Sequence, residues 1–297
     1  MALLAILLLT IAPSSTKPAD PPKPLPVSAH NCYPSNSEST ARLKEALDLG
    51  LDNIEIDLGW DESNKRLLVG HDASPKANTI YPTFETYIKP MLDAPVRADG
   101  APTILTIDWK TSDVDAVKAF HMFLLAHPDL FTYAPKSTDS ALTRRRFMVC
   151  FTGSEDAKKT YDALIPVEGT YQAFSDRVFG ANDYFDNPKA YATKSATAYH
   201  RFLTFHWGVV ERGAPMIAKE WTPAHAARLK AIVEAAHDQG FRTRFYCLNA
   251  NGAFFYRFPS DAAARLRWQA AVNAGVDWVA SDNYAEIAAE LTPKRPK

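Results

Sequence analysis

Residues 53–60 read NIEIDLGW: apolar residues alternate with acidic ones, and the run opens after Asp52 and closes before the turn-like stretch DESNK at 61–65. A strand has a side-chain period of two, so Glu55 and Asp57 face the same side, flanked by isoleucine and leucine. Two like charges in such surroundings are costly to bury unless a cation or a strong hydrogen-bonding partner offsets them. This run therefore raises two questions: what sheet it belongs to, and what neutralises its carboxylates.

Seven further runs of similar length answer the first: 26–31, 103–110, 145–153, 170–176, 201–208, 241–250 and 276–283. Between them lie segments with helical three- and four-residue periodicity, at 37–50, 83–94, 112–127, 154–165, 222–240 and 260–275. Thr222-Pro223 caps the fifth helix and Gly240 stops it, while Ser260 or Asp261 opens the sixth and Gly275 closes it. Strands buried on both faces by crossover helices predict a parallel α/β sheet, and eight of them predict a TIM (β/α)8 barrel. The piece RLLVGHD at 66–72 either lies beside the second strand or runs on to the same rim.

The length of 297 residues, with 46% hydrophobic and 23% charged side chains, suits one large globular domain and excludes a disordered chain. Thirty-three Lys and Arg against 34 Asp and Glu give a net charge of -1, so no broad field favours nucleic acid or an anionic membrane. Residues 2–12, ALLAILLLTIA, fall short of the roughly 20 residues a membrane span needs. They predict a signal peptide over 1–19, a proline-rich leader over 20–26 and a single barrel domain over 27–297, secreted or placed in the periplasm or at the cell surface, with no stable membrane span. Cys150 and Cys247 sit in strand-like runs and read as buried small hydrophobes, Cys32 sits in a polar loop, and no Cys-x-x-Cys occurs.

Polar residues gather at the trailing ends of these strands, where TIM-barrel enzymes build their sites. They are His30-Asn31, Glu55 and Asp57, Asp108 and Lys110, His206-Trp207, Asn249, and Asp282-Asn283, with His71 ending the 66–72 piece. The oxygen-rich set Glu55, Asp57 and Asp108 suits a hard divalent cation, Mg²⁺ before Ca²⁺, better than zinc. His30 and His71 are candidates for general acid and base, and Lys110 either neutralises a phosphate oxygen or pairs with Asp108. Asn31, Asn249 and Asp282 are candidates for contacting substrate, and His206 and Trp207 either wall the pocket with them or pack in the barrel. Gly70, Gly153 and Gly208 fit rim turns; without a GxxxxGK[ST] or an opening GxGxxG, neither ATP nor NAD is indicated.

In order, His30-Asn31, EALDLGLDNIEIDL, LLVGHD at 67–72, LTIDWK and GVDWVASDN resemble the glycerophosphodiester phosphodiesterase and phosphatidylinositol-phospholipase C-like superfamily of TIM barrels. HNCYPSN, VGHDAS, TFETYIKPML, AHPDLF and AAHDQGFRTRFY look most like its branch of fungal altered-inheritance-of-mitochondria proteins and bacterial relatives. The resemblance implies a catalytic pair His30 and His71, metal ligands Glu55, Asp57 and Asp108, a basic Lys110, and Asp282 at the family's last-strand aspartate. It implies a small-molecule or lipid phosphodiester as substrate and one divalent cation; the sequence leaves the oligomeric state open, with a monomer favoured. His30 is taken as base and His71 as acid, an order the sequence leaves open. Asn31 stands where many relatives carry a phosphate-binding arginine, Glu38 keeps only part of the family's Glu-Asn-Thr helix opening, and no long insertion follows Asp72. The glycerol head group therefore does not carry over. A sphingomyelinase-D-like lyase forming a cyclic phosphate and a non-catalytic barrel that binds a head group or glycan remain as alternatives.

Overall fold

The computed structural model describes residues 25–72, 79–97, 99–138, 142–184, 186–252 and 254–292. The expected signal peptide and all but the last two residues of the leader lie outside the described residues. In chain order the elements are β1 (Val27–Ala29), α1 (Ala41–Asp48), β2 (Asn53–Asp61), β3 (Arg66–Val69), α2 (Phe84–Asp93), β4 (Thr103–Trp109) and α3 (Val114–Ala126). There follow β5 (Ala134–Pro135), β6 (Phe147–Gly153), α4 (Glu155–Leu164), β7 (Thr170–Tyr171), β8 (Ala173–Phe179) and β9 (His200–His206). The chain ends in α5 (Pro223–Asp238), β10 (Arg242–Tyr246), α6 (Asp261–Asn273), β11 (Trp278–Ser281) and α7 (Tyr284–Leu291).

Eight parallel strands, β1-β2-β4-β6-β8-β9-β10-β11, close into a barrel through the pairing of β11 with β1. The β1 strand is short and pairs only with Asn53 and Ile54 of β2, so the upper part of β2 lacks that neighbour. The antiparallel β3 takes its place there, matching Leu58 to Val69 and Asp61 to Arg66. Outside the sheet, apolar helix faces cover β4 and β6 with an aromatic cluster in which the Phe120 ring sits 5.6 Å from Trp109 and 5.5 Å from Phe151. Edge-to-face contacts of this kind add to the burial of large rings.

Each of the eight expected strands is present, and the fifth is displaced. Residues 170–171 form β7, which pairs with β5 in a separate two-stranded sheet, and the barrel strand is β8, shifted in register against β9 between Ser175 and Asp176. The crossover from β8 to β9 carries a 3-10 turn, Pro188–Ala192, in place of an α-helix. Its sequence, GANDYFDNPKAYATKSATAY, is too rich in turn formers for a helical stripe. α7, unforeseen in the sequence, buries Tyr284, Ile287 and Ala288 on one face.

The long β9–α5 connection is fixed to α6 by a buried ion pair. Arg267 places Nη2 at 2.6 Å from Glu211 Oε1 and Nε at 2.9 Å from Oε2, and Oε2 also accepts the Trp207 indole N–H at 2.9 Å. Both charged side chains are nearly solvent-free, at 2% and 3% exposure. Removing one partner of such a pair strands the other, so Arg267→Met is expected to lose about 3–5 kcal/mol in urea unfolding. A loss under about 1 kcal/mol, the worth of an exposed pair, would show that the pair does not hold this rim.

Candidate active site

Barrel register assembles the acidic cluster. Glu55 is level with Thr106, and Asp57 with Asp108 and then Thr152, so residues of one face on adjacent strands meet at the C-terminal mouth. One oxygen from each of Glu55, Asp57 and Asp108 lies within 4.8 Å of the others, the only group of its kind among the described residues. Glu55 and Asp57 are buried at 2% and 1% exposure. Neither Asp57 oxygen has a hydrogen-bond donor, although Lys110 Nζ approaches Oδ2 to 3.2 Å in an ionic contact without hydrogen-bond geometry. Burial pushes the Asp57 carboxyl up to about 7, the Glu55 and Asp108 charges push the same way, and Lys110 only partly opposes them.

Two cations sit on this cluster. Lys110 donates to Asp108 Oδ2 at 2.7 Å, the pair anticipated in the sequence. The second was not foreseen: Arg244, on β10 and 5% exposed, donates through Nη2 to Glu55 Oε2 and through Nε to Ser28 Oγ at 3.1 Å. Gly153 lets Asp108 stand where it does. Its φ of +77° favours glycine, and an added Cβ would fall 2.1 Å from Asp108 Oδ1 and 2.7 Å from the Trp109 carbonyl.

His30 closes the other side. Its Nδ1 is 2.7 Å from Asp282 Oδ1, and its Nε2 is 3.7 Å from Glu55 Oε2. Burial lowers the affinity of His30 for a proton, but Glu55 and the bond to Asp282 outweigh it, so its pKa lies above the ordinary 6.5. Asp282 moves the opposite way: burial raises it, and the bonds from His30, Asn249 and Asn31 bring it below 3.8. Asn249 grips Asp282 twice, Nδ2 to Oδ2 at 2.7 Å and Oδ1 from the backbone N–H at 2.9 Å.

Asn31, expected to touch substrate, uses its side chain within the protein. It donates to Asp282 Oδ1 at 3.0 Å and accepts from Tyr33 Oη at 2.9 Å, with a left-handed φ of 50° that asparagine tolerates. Trp207 is fully buried against Trp221 and Phe245 and forms no part of the mouth. His206 accepts the Gly208 N–H at 2.9 Å and packs on Tyr246, a residue of the pocket wall. His71 stands on the rim with its side chain 63% exposed and 3.3 Å from Asp72. The preceding Gly70 N–H donates to the Asp57 carbonyl at 3.0 Å, which fixes the segment beside the cluster. Cys32, Cys150 and Cys247 are unpaired and buried, so the polar loop around Cys32 hides its thiol, which burial pushes up to about 12.

The resulting cavity, ≈ 190 Å³, is lined by His30, Glu55, Asp108, Thr152, Thr204, Arg244 and Tyr246 among others. A larger one, ≈ 420 Å³, lies at the opposite end of the barrel between α1 and α2. There Arg97 is held by Asp99 and Arg146 by the carbonyls of Met91 and Ala94, so both of its arginines are already engaged, and Lys44 is the third cation of its lining.

No family model matches the sequence, and no curated protein matches it. Solved structures do match the fold. An Oleispira antarctica phosphodiesterase in complex with the product sn-glycerol-3-phosphate superposes with a TM-score of 0.53 at 12% identity, covering 90% of this chain and 96% of that one. A glycerophosphodiester phosphodiesterase from Parabacteroides distasonis gives 0.51 at 13% identity, covering 89% and 95%. The chain thus has the TIM-barrel fold of the glycerophosphodiester phosphodiesterases, as the sequence resemblance implied.

The His30–Asp282 shifts set a pH signature. Asp282, lowered on folding, contributes stability above pH 3.8 that is lost as pH falls through its folded value; His30, raised, contributes below pH 6.5 and loses it as pH rises through its folded value. The stability gap between the native chain and Asp282→Asn should therefore be widest between these two values and shrink on either side in urea titrations. A gap independent of pH would show that the two groups are not coupled.

Proposed function

We propose that the chain is a cation-dependent phosphodiesterase acting on a glycerophosphodiester or phospholipid-type diester. One observation carries this reading: a buried aspartate with no hydrogen-bond donor, Asp57, stands between two further carboxylates at the mouth where His30 and Lys110 converge. Four carboxylates, with Asp282 the fourth, face two permanent cations, Lys110 and Arg244. That leaves an excess of negative charge which a hard divalent ion, Mg²⁺ or Ca²⁺, would satisfy through Glu55, Asp57 and Asp108. Bound there, such an ion supplies Lewis-acid polarisation of a non-bridging phosphate oxygen. The Oleispira structure, with a phosphomonoester product in the same fold, supports the choice of a phosphate substrate.

The side chains divide the remaining work. With the Nδ1 proton of His30 committed to Asp282, Nε2 turns a lone pair toward the mouth, and its raised proton affinity suits a general base working near neutrality. Its task is to deprotonate the attacking hydroxyl, from water or from a neighbouring position of the substrate. His71, exposed on the rim beside the cluster, delivers a proton to the leaving alcohol. Lys110 and Arg244 offset negative charge on the phosphoryl oxygens, and Arg244 supplies the guanidinium that Asn31 lacks. Asn31 and Asn249 hold Asp282, and through it His30.

The second reading, a non-catalytic barrel that binds head groups, draws on the contacts of Lys110 with Asp57 and Asp108 and of Arg244 with Glu55, which offset part of the acidic charge without an ion. A metal-dialysed panel of glycerophosphodiesters, lysophospholipids, sphingomyelin and phosphatidylinositol followed by phosphorus NMR decides between them. Turnover that His30→Ala lowers by roughly 10²–10⁴ is expected. No turnover with Mg²⁺, Ca²⁺ or Mn²⁺ would leave only the binding role.

Because an Asp57 carboxyl raised to about 7 must lose its proton to bind a cation, the apparent affinity should climb with pH up to that value and level off above it. The Mg²⁺-induced rise in Tm, measured from acid to alkaline pH, reports this, and Asp57→Asn should abolish it. A rise in Tm that ignores both pH and this substitution would place the ion elsewhere.

A further inference from the structure

All the exposed aromatic side chains among the described residues, Tyr184, Phe254, Phe255 and Tyr256, lie beyond the C-terminal ends of barrel strands, the end that carries the cluster. Phe254 and Phe255 are 61% and 65% exposed on the β10–α6 connection. On the neighbouring β9–α5 connection Met216 and Ile217 stand 41% and 65% exposed. Other exposed aliphatic groups, such as Val96, Met122, Leu125 and Val167, stand elsewhere on the barrel, but exposed aromatic rings among the described residues occur only on this rim, and their grouping there marks an interaction surface.

That rim is continuous with the site. The Asn249 N–H donates to the Tyr256 carbonyl at 3.1 Å, and the Asn249 carbonyl accepts the Phe258 N–H at 3.0 Å. The same residue's side chain donates to Asp282 at 2.7 Å. Phe258 is buried under Arg267, so the exposed tip grows from a fixed base.

The charges beside the tips indicate the occupant. The stretch NGAFFYRFPS at 251–260 carries Arg257 as its only charge, with Asp261 following at the start of α6; RGAPMIAK at 212–219 brackets its apolar pair with Arg212 and Lys219, and of the two acids flanking it Glu211 is buried against Arg267 while Glu220 is exposed. Arg212 also reaches Asp186 at 3.4 Å across the rim. Aromatic and aliphatic tips bordered by cations match the boundary of a phospholipid layer, where acyl chains accept the apolar groups and phosphates face the cations. Two separate loop tips suit a deformable layer better than the contiguous flat core of a protein interface.

We propose that the β9–α5 and β10–α6 tips dock the barrel on a phospholipid surface and present the mouth to diesters held in it. The inference rests on the phosphodiesterase reading for what happens at the mouth, and it adds diesters held in membrane lipid to the water-soluble glycerophosphodiesters that reach the same mouth from solution.

The test uses the full chain with Phe255→Cys labelled by an environment-sensitive nitrobenzoxadiazole probe, which reports at the tip whatever residues 1–24 do. Phosphatidylcholine vesicles should raise and blue-shift its emission, and the additional Phe254→Ser and Ile217→Ser changes should weaken vesicle binding by about tenfold each. An unchanged probe signal with both phosphatidylcholine and phosphatidylglycerol vesicles overturns the proposal. So does sedimentation velocity showing a dimer that Phe254→Ser/Phe255→Ser dissolves, since the rim would then bind a second copy. Hydrolysis of a water-soluble glycerophosphodiester should be unaffected by Phe254→Ser/Phe255→Ser while hydrolysis in vesicles falls. Vesicle docking without turnover of any diester would leave the surface standing and remove the phosphodiesterase reading.

Discussion

Asp57 sets the terms for the whole mouth. A carboxylate at 1% exposure, with two others close by and no hydrogen-bond donor of its own, is unfavourable wherever it occurs, and burial raises the cost. The barrel does not avoid the cost; its closure imposes it, because parallel register brings Asp57 level with Asp108 and points both to one side. Lys110 and Arg244 approach from β4 and β10, and Gly153 makes room where any Cβ would strike Asp108. A sequence selected for stability alone would place leucine or threonine at these positions. A buried cluster of like charges at the C-terminal mouth marks a candidate site.

How far the sequence displayed this depends on the scale of the signal. Strand period and register are short-range rules, so Glu55 and Asp57 could be placed on one face from NIEIDLGW alone, and Asp108 and Lys110 from TILTIDWK. Asp282 was legible as a polar residue at a strand exit, but its coupling to His30 joins the first and last strands and exists only once the barrel closes. Arg244 was hidden for the opposite reason. In FRTRFYCLNA it is one of two arginines at the start of the run, away from the trailing end where polar residues mark the mouth, and Arg242, two residues earlier, lies over the Trp278 ring. Only the barrel's curvature brings β10 across to Glu55.

The misplaced elements have a common physical origin. TYQAFSD reads as one strand because aromatic and β-branched residues favour extended backbone wherever they occur. In the fold, Thr170 and Tyr171 pair outward with β5, and the chain enters the barrel two residues later. Asn31 shows the same limit at the scale of one residue: its identity suggested a weakened phosphate contact, whereas its left-handed backbone and two side-chain bonds make it part of the support for Asp282.

That support explains why the rim can be apolar without loosening the chemistry. Below the exposed tips, Asn249 ties β10 to Asp282, Arg267 and Glu211 tie α6 to the β9–α5 connection, and Trp207 donates into the same carboxylate. Each tip is thus a short extension from a hydrogen-bonded base, and the β10–α6 tip is joined through Asn249 to Asp282, the partner of His30. The proposed division of labour would follow from the geometry: the candidate active-site groups sit on strand ends, where register holds them, and the proposed contact groups sit on loops, where chain freedom lets them conform to what they meet. The one candidate that breaks this division is His71, which stands exposed on the rim next to Gly70, whose N–H is bonded to the Asp57 carbonyl. On the phosphodiesterase reading proposed above, a proton donor placed there would follow a leaving group outward, which a residue locked in the barrel wall could not do.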